Sequence, residues 1–134
     1  MQSNYEMNKS NCYEDREISA VLKQMPDDRR LLLEKTKAYL NSLGDEVNLY
    51  EAQRYYSYKR WKSPFAVVIP DRKRVIINLL VDPKTVEIDG YFTRDLNNKR
   101  SYGSPKLQLQ VFVRNDDQFE KAKSYMRQAY KACK

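Results

Sequence analysis

Residues 54–61 combine aromatic and cationic side chains in one short run, Arg54-Tyr55-Tyr56-Ser57-Tyr58-Lys59-Arg60-Trp61. In an extended strand, alternate residues point to opposite sides of a sheet. One side would then carry two tyrosines flanked by two arginines: Arg54, Tyr56, Tyr58 and Arg60. Bases stack on such rings at about 1–3 kcal/mol each while arginines contact phosphates, so this side is predicted to bind nucleic acid. The alternative is that the rings pack beneath a helix, because tyrosine is a favoured strand residue.

A second binding candidate is the connection over residues 93–103, which is long and carries the cations Arg94, Lys99 and Arg100. Long loops on compact domains are often functional, so we expect nucleic-acid contacts here as well. The alternative is that Arg94 and Asp95 pair locally or cap a short helical turn, with the other residues solvated.

The amino-acid composition excludes several classes of enzyme. The 134 residues include no histidine, which excludes Ser-His-Asp and Cys-His arrangements. Two distant cysteines are a poor zinc site, and three glycines do not build a phosphate-binding loop. We therefore expect a protein without a bound metal or cofactor.

Acidic residues after two predicted strands, Asp71 and then Glu87 and Asp89, give a weak resemblance to the metal site of magnesium-dependent nucleases. Such sites carry a lysine beside the second acidic residue, and this chain has Asp89 at that position. A tight turn with the following Arg72 and Lys73 explains Asp71 better.

A metal-free ribonuclease is a further alternative, because cationic side chains can stabilise the charge that develops when RNA is cleaved through its 2′-hydroxyl. Tyr55, Tyr56, Tyr58, Lys59 and Arg60 supply suitable groups. Their spacing has no specific signature, and a catalytic role for them stays a hypothesis.

The cysteines and the N-terminus indicate a cellular compartment. Cys12 and Cys133 lie near opposite ends of the chain, and two free thiols in a reducing cytosol are the expected state, with a disulfide as the alternative. The first residues lack the basic and apolar segments of a secretory signal. No run approaches the ~20 apolar residues of a membrane span. We expect a cytoplasmic protein without membrane contact.

The positive charge is concentrated in the middle of the chain. Residues 53–114 contain 13 Lys and Arg against 5 Asp and Glu, a net charge of +8, whereas the whole chain carries +7. A cationic segment rich in aromatic residues indicates a polyanionic partner, and nucleic acid is the commonest one.

Helices are predicted on both sides of this central block. Apolar residues recur at helical spacing over residues 15–25, and a second helix is expected to begin at the acidic Asp27 and to end at Gly44 as a left-handed cap. A third helix follows Asn115, which can cap it with Gln118 in the capping-box position.

The central block has the pattern of strands, over residues 53–61, 63–70, 74–81 and 107–113. This order predicts an α+β fold, in which two N-terminal helices and a C-terminal helix pack on an antiparallel sheet of about four strands. The length suits a single domain, assigned to residues 13–134, preceded by a flexible tail over residues 1–12.

Short motifs between Leu31 and Lys131 carry a family resemblance. They are Tyr58-Lys59-Arg60 before Phe65-Ala66, the strand from Arg74 to Val81 closed by Asp82-Pro83, Arg94-Asp95-Leu96, and the helix from Asp117 to Tyr130. In these motifs the chain resembles a small bacterial domain family of unknown function that is labelled "predicted transport protein". That domain also occurs appended to restriction-endonuclease-like and related defence proteins. The resemblance implies an α+β fold and an association with DNA-acting enzymes.

In that family the Arg-Asp-aliphatic triplet precedes a segment close to Gly-His-x-Gly-x-Gly. Residues 100–105 of this chain are Arg-Ser-Tyr-Gly-Ser-Pro, so Gly103 alone matches and Ser101 occupies the histidine position. The comparison implies that any ligand contacts of the family's loop are lost or changed in this chain.

The sequence therefore predicts a non-catalytic module that binds DNA or RNA through a set of aromatic and cationic residues: Arg54, Tyr56, Tyr58, Arg60, Arg94, Lys99 and Arg100. The alternative is a protein-interaction module. It would bind an acidic partner, or a second copy of the chain through the aromatic strand, as a homodimer.

Overall fold

The computed structural model describes residues 17–133, which form three helices and six strands. The helices are α1 (Ile18–Gln24), α2 (Asp27–Asn41) and α3 (Asp116–Ala132). The strands are β1 (Val47–Glu51), β2 (Tyr56–Arg60), β3 (Ser63–Pro70), β4 (Val75–Leu79), β5 (Thr93–Asp95) and β6 (Leu109–Val113). The predicted tail over residues 1–12, with Cys12, lies outside the described residues. Among residues 17–133, no helix has the length and apolar character needed to cross a membrane.

The strands form one antiparallel sheet in the order β1-β2-β3-β4-β6-β5. The predicted α+β class is confirmed, but the predicted count of about four strands is wrong, because β1 and β5 were not expected. β5 has only three residues, too few for an alternating pattern, and it forms by pairing Arg94 with Gln110 on β6. β1 has five residues, VNLYE, which give a weak strand signal directly after a helix.

All three helices pack on one face of the sheet and form the main core with it. Leu33 and Leu40 of α2 and Met126 of α3 are fully buried there, against Phe65 and Ile77 of the central strands. Burial of such side chains contributes about 1.5–3 kcal/mol each. The helix-covered face therefore supplies most of the stability of the fold.

The predicted cap of α3 is present. The Asn115 side chain accepts a hydrogen bond of 2.8 Å from the Gln118 N–H, and the Gln118 side chain accepts one of 2.8 Å from the Arg114 N–H. Two N–H groups near the start of the helix are thereby satisfied, which fixes where β6 ends and α3 begins.

The prediction for Gly44 is wrong in its detail. α2 ends earlier, at Asn41, and Gly44 is not among the glycines with a left-handed backbone. A Cβ at position 44 would instead overlap the Tyr130 hydroxyl and the Glu46 carboxylate. A larger residue here would have to displace the Tyr130 and Glu46 side chains.

The opposite side of the sheet, called here the helix-free face, has a small core of its own. Val67, Ile69, Ile76 and Phe112 are buried on it beneath Leu107. The connection from β5 to β6, residues 96–108, supplies Leu107 and covers the middle of this face. Polar and cationic residues lie around the covered centre, and they form the site described next.

Candidate nucleic-acid interface

β2 presents Tyr56 and Tyr58 to the helices. Their exposed fractions are only 2% and 0%, and the Lys37 ammonium lies 4.2 Å from the centre of the Tyr56 ring. Burial raises the pKa of Tyr56 to about 12 and raises the pKa of Tyr58 further. Neither ring is accessible to a nucleic-acid base. Both tyrosines thus follow the alternative in which the rings pack beneath a helix.

Arg60 lies on the same side of β2 and holds the end of α3. Its guanidinium donates hydrogen bonds of 3.1 Å to the backbone carbonyls of Tyr130 and Cys133 and lies 4.4 Å from the Tyr130 ring centre. Its Nε is 3.7 Å from a Glu46 carboxylate oxygen. The last carbonyls of a helix lack intrahelical partners and attract cations. Arg60 therefore stabilises the end of α3 and lies on the helix-covered side of the sheet.

The other side of β2 belongs to the helix-free face. Lys59 lies there, with its ammonium 5.6 Å from the ring centre of Tyr50 on the neighbouring β1. Tyr55, just before the strand, stacks on Tyr102 of the covering connection, with ring centres 4.6 Å apart and planes inclined by 16°. The predicted side of β2 thus faces the helices. On the opposite side, Lys59 is partly exposed, Ser57 is buried, and Tyr55 is partly covered by Tyr102.

Arg54 is exposed in the connection between β1 and β2. Since it precedes the strand, the alternation of β2 does not assign its side chain to either face.

A chain of hydrogen bonds ties Arg94 to the covering connection. The Arg94 guanidinium donates to the Gln110 side chain at 3.4 Å, Gln110 donates to Asn78 at 2.9 Å, and Asn78 donates to the Ser101 hydroxyl at 2.8 Å. Gln110, Asn78 and Ser101 are buried, whereas Arg94 is exposed. A buried polar network fixes geometry because an unpaired member would be costly. The network holds the connection on the face and sets Arg94 at its border.

Lys99 and Arg100 are exposed on that connection, directly before the anchored Ser101. The backbone there is constrained: Asn97 and Asn98 have φ values of 56° and 63°, and the Lys99 N–H donates to the Leu96 carbonyl at 2.9 Å. Asparagine tolerates this left-handed region better than most residues. The three cations predicted in residues 93–103 are thus held on one ordered structure beside the helix-free face.

Two arginines that the sequence reasoning missed lie at the far end of this face. The guanidinium carbons of Arg74 and Arg114 are 5.0 and 5.4 Å from the Phe112 ring centre. Arg114 also lies 3.9 Å from the centre of the exposed Tyr91 ring and donates to the Tyr91 carbonyl at 2.8 Å. Burial, together with the nearby Arg74, lowers the pKa of Arg114. The alternation of β6 could have found Arg114, which is two residues from Phe112.

We call the cations of this surface the cationic face: Lys59, Arg74, Arg94, Lys99, Arg100 and Arg114. Within residues 17–133, only Arg74 of this set has a carboxylate within 4.0 Å, that of Asp71 at 3.9 Å. By contrast, six cations on the helices are paired with carboxylates: Arg29, Arg30, Lys35, Lys37, Lys121 and Lys123. The positive charge of the helix-free face is therefore less compensated by ion pairs.

The carboxylates of the central block are largely engaged by backbone groups. Asp71, Asp82, Asp89 and Asp95 each accept at least one backbone N–H bond in a turn. For Asp89, the N–H groups of residues 91–93 hold the pKa of the carboxyl below its usual range. These contacts give Asp71 and Asp89 structural roles in place of the weak nuclease resemblance.

Other chemistries find little support in the geometry. In the part of the chain that the structure describes, no three His, Cys, Asp or Glu side chains come together as a metal site. The groups named for a metal-free ribonuclease are separated, since Tyr56 and Tyr58 are buried and Lys59 and Arg60 point to opposite faces. Cys133 is buried, with its thiol 3.2 Å from the Ser63 carbonyl, and burial raises the pKa of that thiol.

Comparisons with known proteins do not assign this surface to a family. No family model matches the chain, and no curated protein and no solved structure matches it either. The family resemblance in the sequence therefore stays a prediction.

Proposed function

We propose that this chain is a non-catalytic module that binds single-stranded nucleic acid through the cationic face. The observation that carries the proposal is the difference between the two sides of the sheet. Six of the nine Lys and Arg residues of the three helices lie within 4.0 Å of a carboxylate, whereas among residues 17–133 five of the six cations of the cationic face have no carboxylate at that distance. Cations that are not paired within the protein are free to release counterions from phosphates, which drives nucleic-acid binding.

Aromatic rings beside these cations favour a single strand over a duplex. Tyr50 is 56% exposed next to Lys59, and Tyr91 is 59% exposed against Arg114. Unpaired bases can stack on exposed rings whatever their sequence, while a duplex offers its base faces only at its ends. Binding should therefore tolerate many sequences.

The dimensions of the face suit several nucleotides. Lys59 on β2 and Arg94 on β5 are four strand spacings apart across β3, β4 and β6. At about 4.8 Å for each spacing, the two strands are roughly 19 Å apart. The face could thus contact a few consecutive phosphates, so we expect modest affinity with a clear dependence on salt.

The test is a titration of labelled single- and double-stranded DNA and RNA, followed by fluorescence anisotropy at several salt concentrations. The variant Arg94→Gln/Lys99→Gln/Arg100→Gln removes three exposed cations of the face. If each contacts a phosphate, the slope of log K against log salt for a single strand should fall by about 2.

A matched control, Lys23→Gln/Lys121→Gln/Lys131→Gln, removes the same charge from exposed positions on the helices. It should leave the slope nearly unchanged. Equal losses in the two variants would mean that overall charge and not the cationic face governs binding. Absence of binding by the wild-type protein at low salt would overturn the proposal.

A further inference from the structure

β1 is an outer strand of the sheet, with β2 on one side only. The Trp61 N–H donates to the backbone carbonyl of Glu46 at 3.1 Å, and the Ala52 N–H donates to the backbone carbonyl of Tyr55 at 3.0 Å. These two bonds lie at the two ends of the paired segments of β1 and β2. Hydrogen-bonding direction alternates along an antiparallel strand, so the peptide groups of residues 48 and 50 face β2. Those of residues 47, 49 and 51 then point away from the sheet.

The two edges of the sheet differ in how they are protected. β5 is three residues long and carries the charged Arg94 and Asp95, features that discourage pairing with another chain. β1 is five residues long, contains neither proline nor a cation, and pairs with β2 without a bulge. It also exposes 41% of Leu49, an apolar residue at its centre. An edge of this kind is a template for a further strand.

Trp61 adds a large apolar side chain at the same edge. It lies in the two-residue connection between β2 and β3, is 65% exposed and has a φ of 59°, which is rare for a bulky residue. Its carbonyl accepts a hydrogen bond from the Asn48 side chain at 3.1 Å, which places it beside the start of β1. A two-residue connection between antiparallel strands favours a positive φ, so the turn itself accounts for this backbone conformation.

We propose that two copies of this chain pair through β1, antiparallel and centred on Leu49, so that one sheet continues across both molecules. Leu49 N–H would donate to the Leu49 carbonyl of the second copy, and the reverse bond would form by symmetry. Glu51 N–H would donate to the Val47 carbonyl of the second copy, again in both directions. The Val47 N–H already donates to the Gly44 carbonyl at 3.3 Å, so it needs no partner.

A second copy suits this edge because the strand is self-complementary. In the register centred on Leu49, each outward-facing residue meets another outward-facing residue. The single charge of β1, Glu51, would lie opposite the apolar Val47, so like charges do not meet. In this register the Glu51 carbonyls alone, of the outward peptide groups of residues 47–51, have no partner, because the Val47 N–H that would face each of them is already used within its own chain. Strands paired in this way also keep both helix-free faces on the same side of the joined sheet.

Sedimentation equilibrium on the full chain, with a reductant present, tests this pairing independently of nucleic acid. Over micromolar to submillimolar concentrations, the mass should rise from 16.0 kDa towards twice that value. Leu49→Lys and Leu49→Glu should each remain monomeric, because the symmetry would bring like charges together. An equimolar mixture of the two should recover the dimer through opposite charges. The control Leu31→Lys changes another exposed leucine, on α2, and should dimerise like the wild type.

Each contrary result has a definite meaning. A wild-type mass that stays monomeric overturns the proposal, and so does a dimer that both Leu49 variants retain. Monomeric variants whose mixture does not dimerise would exclude the register centred on Leu49. If the charged variants fail to fold by circular dichroism, Leu49→Cys with Cys12→Ser decides instead. Cα atoms about 5.5 Å apart allow a disulfide between the copies, and Leu31→Cys with Cys12→Ser should not form one.

Discussion

Replacing Tyr58 by phenylalanine should make this protein more stable. The Tyr58 ring is fully buried between α2 and the sheet, opposite Leu49 on β1 and Ala66 on β3. Its hydroxyl oxygen is buried and finds no hydrogen-bond partner among residues 17–133. A buried polar group without a partner costs about 1–3 kcal/mol relative to hydration in the unfolded chain. Phenylalanine keeps the ring and removes that cost.

The expected gain is about 1 kcal/mol, at the low end of that range, because removal of the oxygen also leaves a small void with fewer contacts. For a chain of this length, such a gain raises Tm by roughly 3–5 °C. Urea unfolding followed by circular dichroism would measure it, with the midpoint shifted upward and the slope m unchanged. Tyr58→Ala should lose about 3–5 kcal/mol instead, since it empties the ring site.

Tyr130→Phe is the matched control, because it deletes the same atom from a tyrosine whose hydroxyl donates to Glu46. It should destabilise the protein. If Tyr58→Phe also lowers the midpoint, the Tyr58 hydroxyl has a partner in solution, and the reasoning from its isolation is refuted. The same variant should leave nucleic-acid affinity unchanged, since its ring is not accessible to a base.

Two further predictions concern the exposed rings and pH. Tyr91→Ala should weaken single-strand binding by about tenfold or more, because stacking contributes about 1–3 kcal/mol per base, and an anisotropy titration that shows unchanged affinity would exclude this ring from the interface. The hydrogen bond from Tyr130, and then the backbone N–H of Glu46, hold the pKa of the Glu46 carboxyl below 4.5. The ionised carboxylate therefore contributes its full share of stability above pH 4.5. That contribution is lost as the pH falls through the lowered pKa. The difference in urea midpoint between wild type and Tyr130→Phe should therefore shrink below about pH 4, and a constant difference would contradict this assignment.

The elements with strong local signals could be predicted from the sequence. α3 combines a clear apolar stripe with the Asn115 and Gln118 cap, and the structure shows both. The turn at Asp71 was also predicted, and its carboxylate accepts the Lys73 N–H at 3.1 Å. β5 could not be predicted, because a strand of three residues has no period and depends on its partner β6.

Which side of β2 is buried was mispredicted for a physical reason. Tyrosines and cations occur on both sides of this strand, so its alternation defines two faces without saying which is buried. The choice is made by contacts distant in sequence: Arg60 bonds to the carbonyls of Tyr130 and Cys133, which requires α3 to lie on its side. Tyr56 and Tyr58 lie on the same side of β2 as Arg60 and are therefore buried beneath the helices. The predicted alternation of β2 is thus present, but the side expected to face solvent faces the helices.

The sequence did contain a signal that the second face is covered. β3 and β4 are apolar at consecutive positions rather than at alternate ones, as in Val67, Val68 and Ile69, and strands of that kind are buried on both faces. Helices on one side of the sheet could not account for this pattern, so a further segment had to cover the other side. The connection over residues 96–108 is that segment, and the Asn78 bond to Ser101 anchors it. A loop fixed in this way holds Lys99 and Arg100 beside the sheet before any ligand binds. We therefore expect the cationic face to bind as an ordered surface, without the entropic cost of ordering a flexible loop.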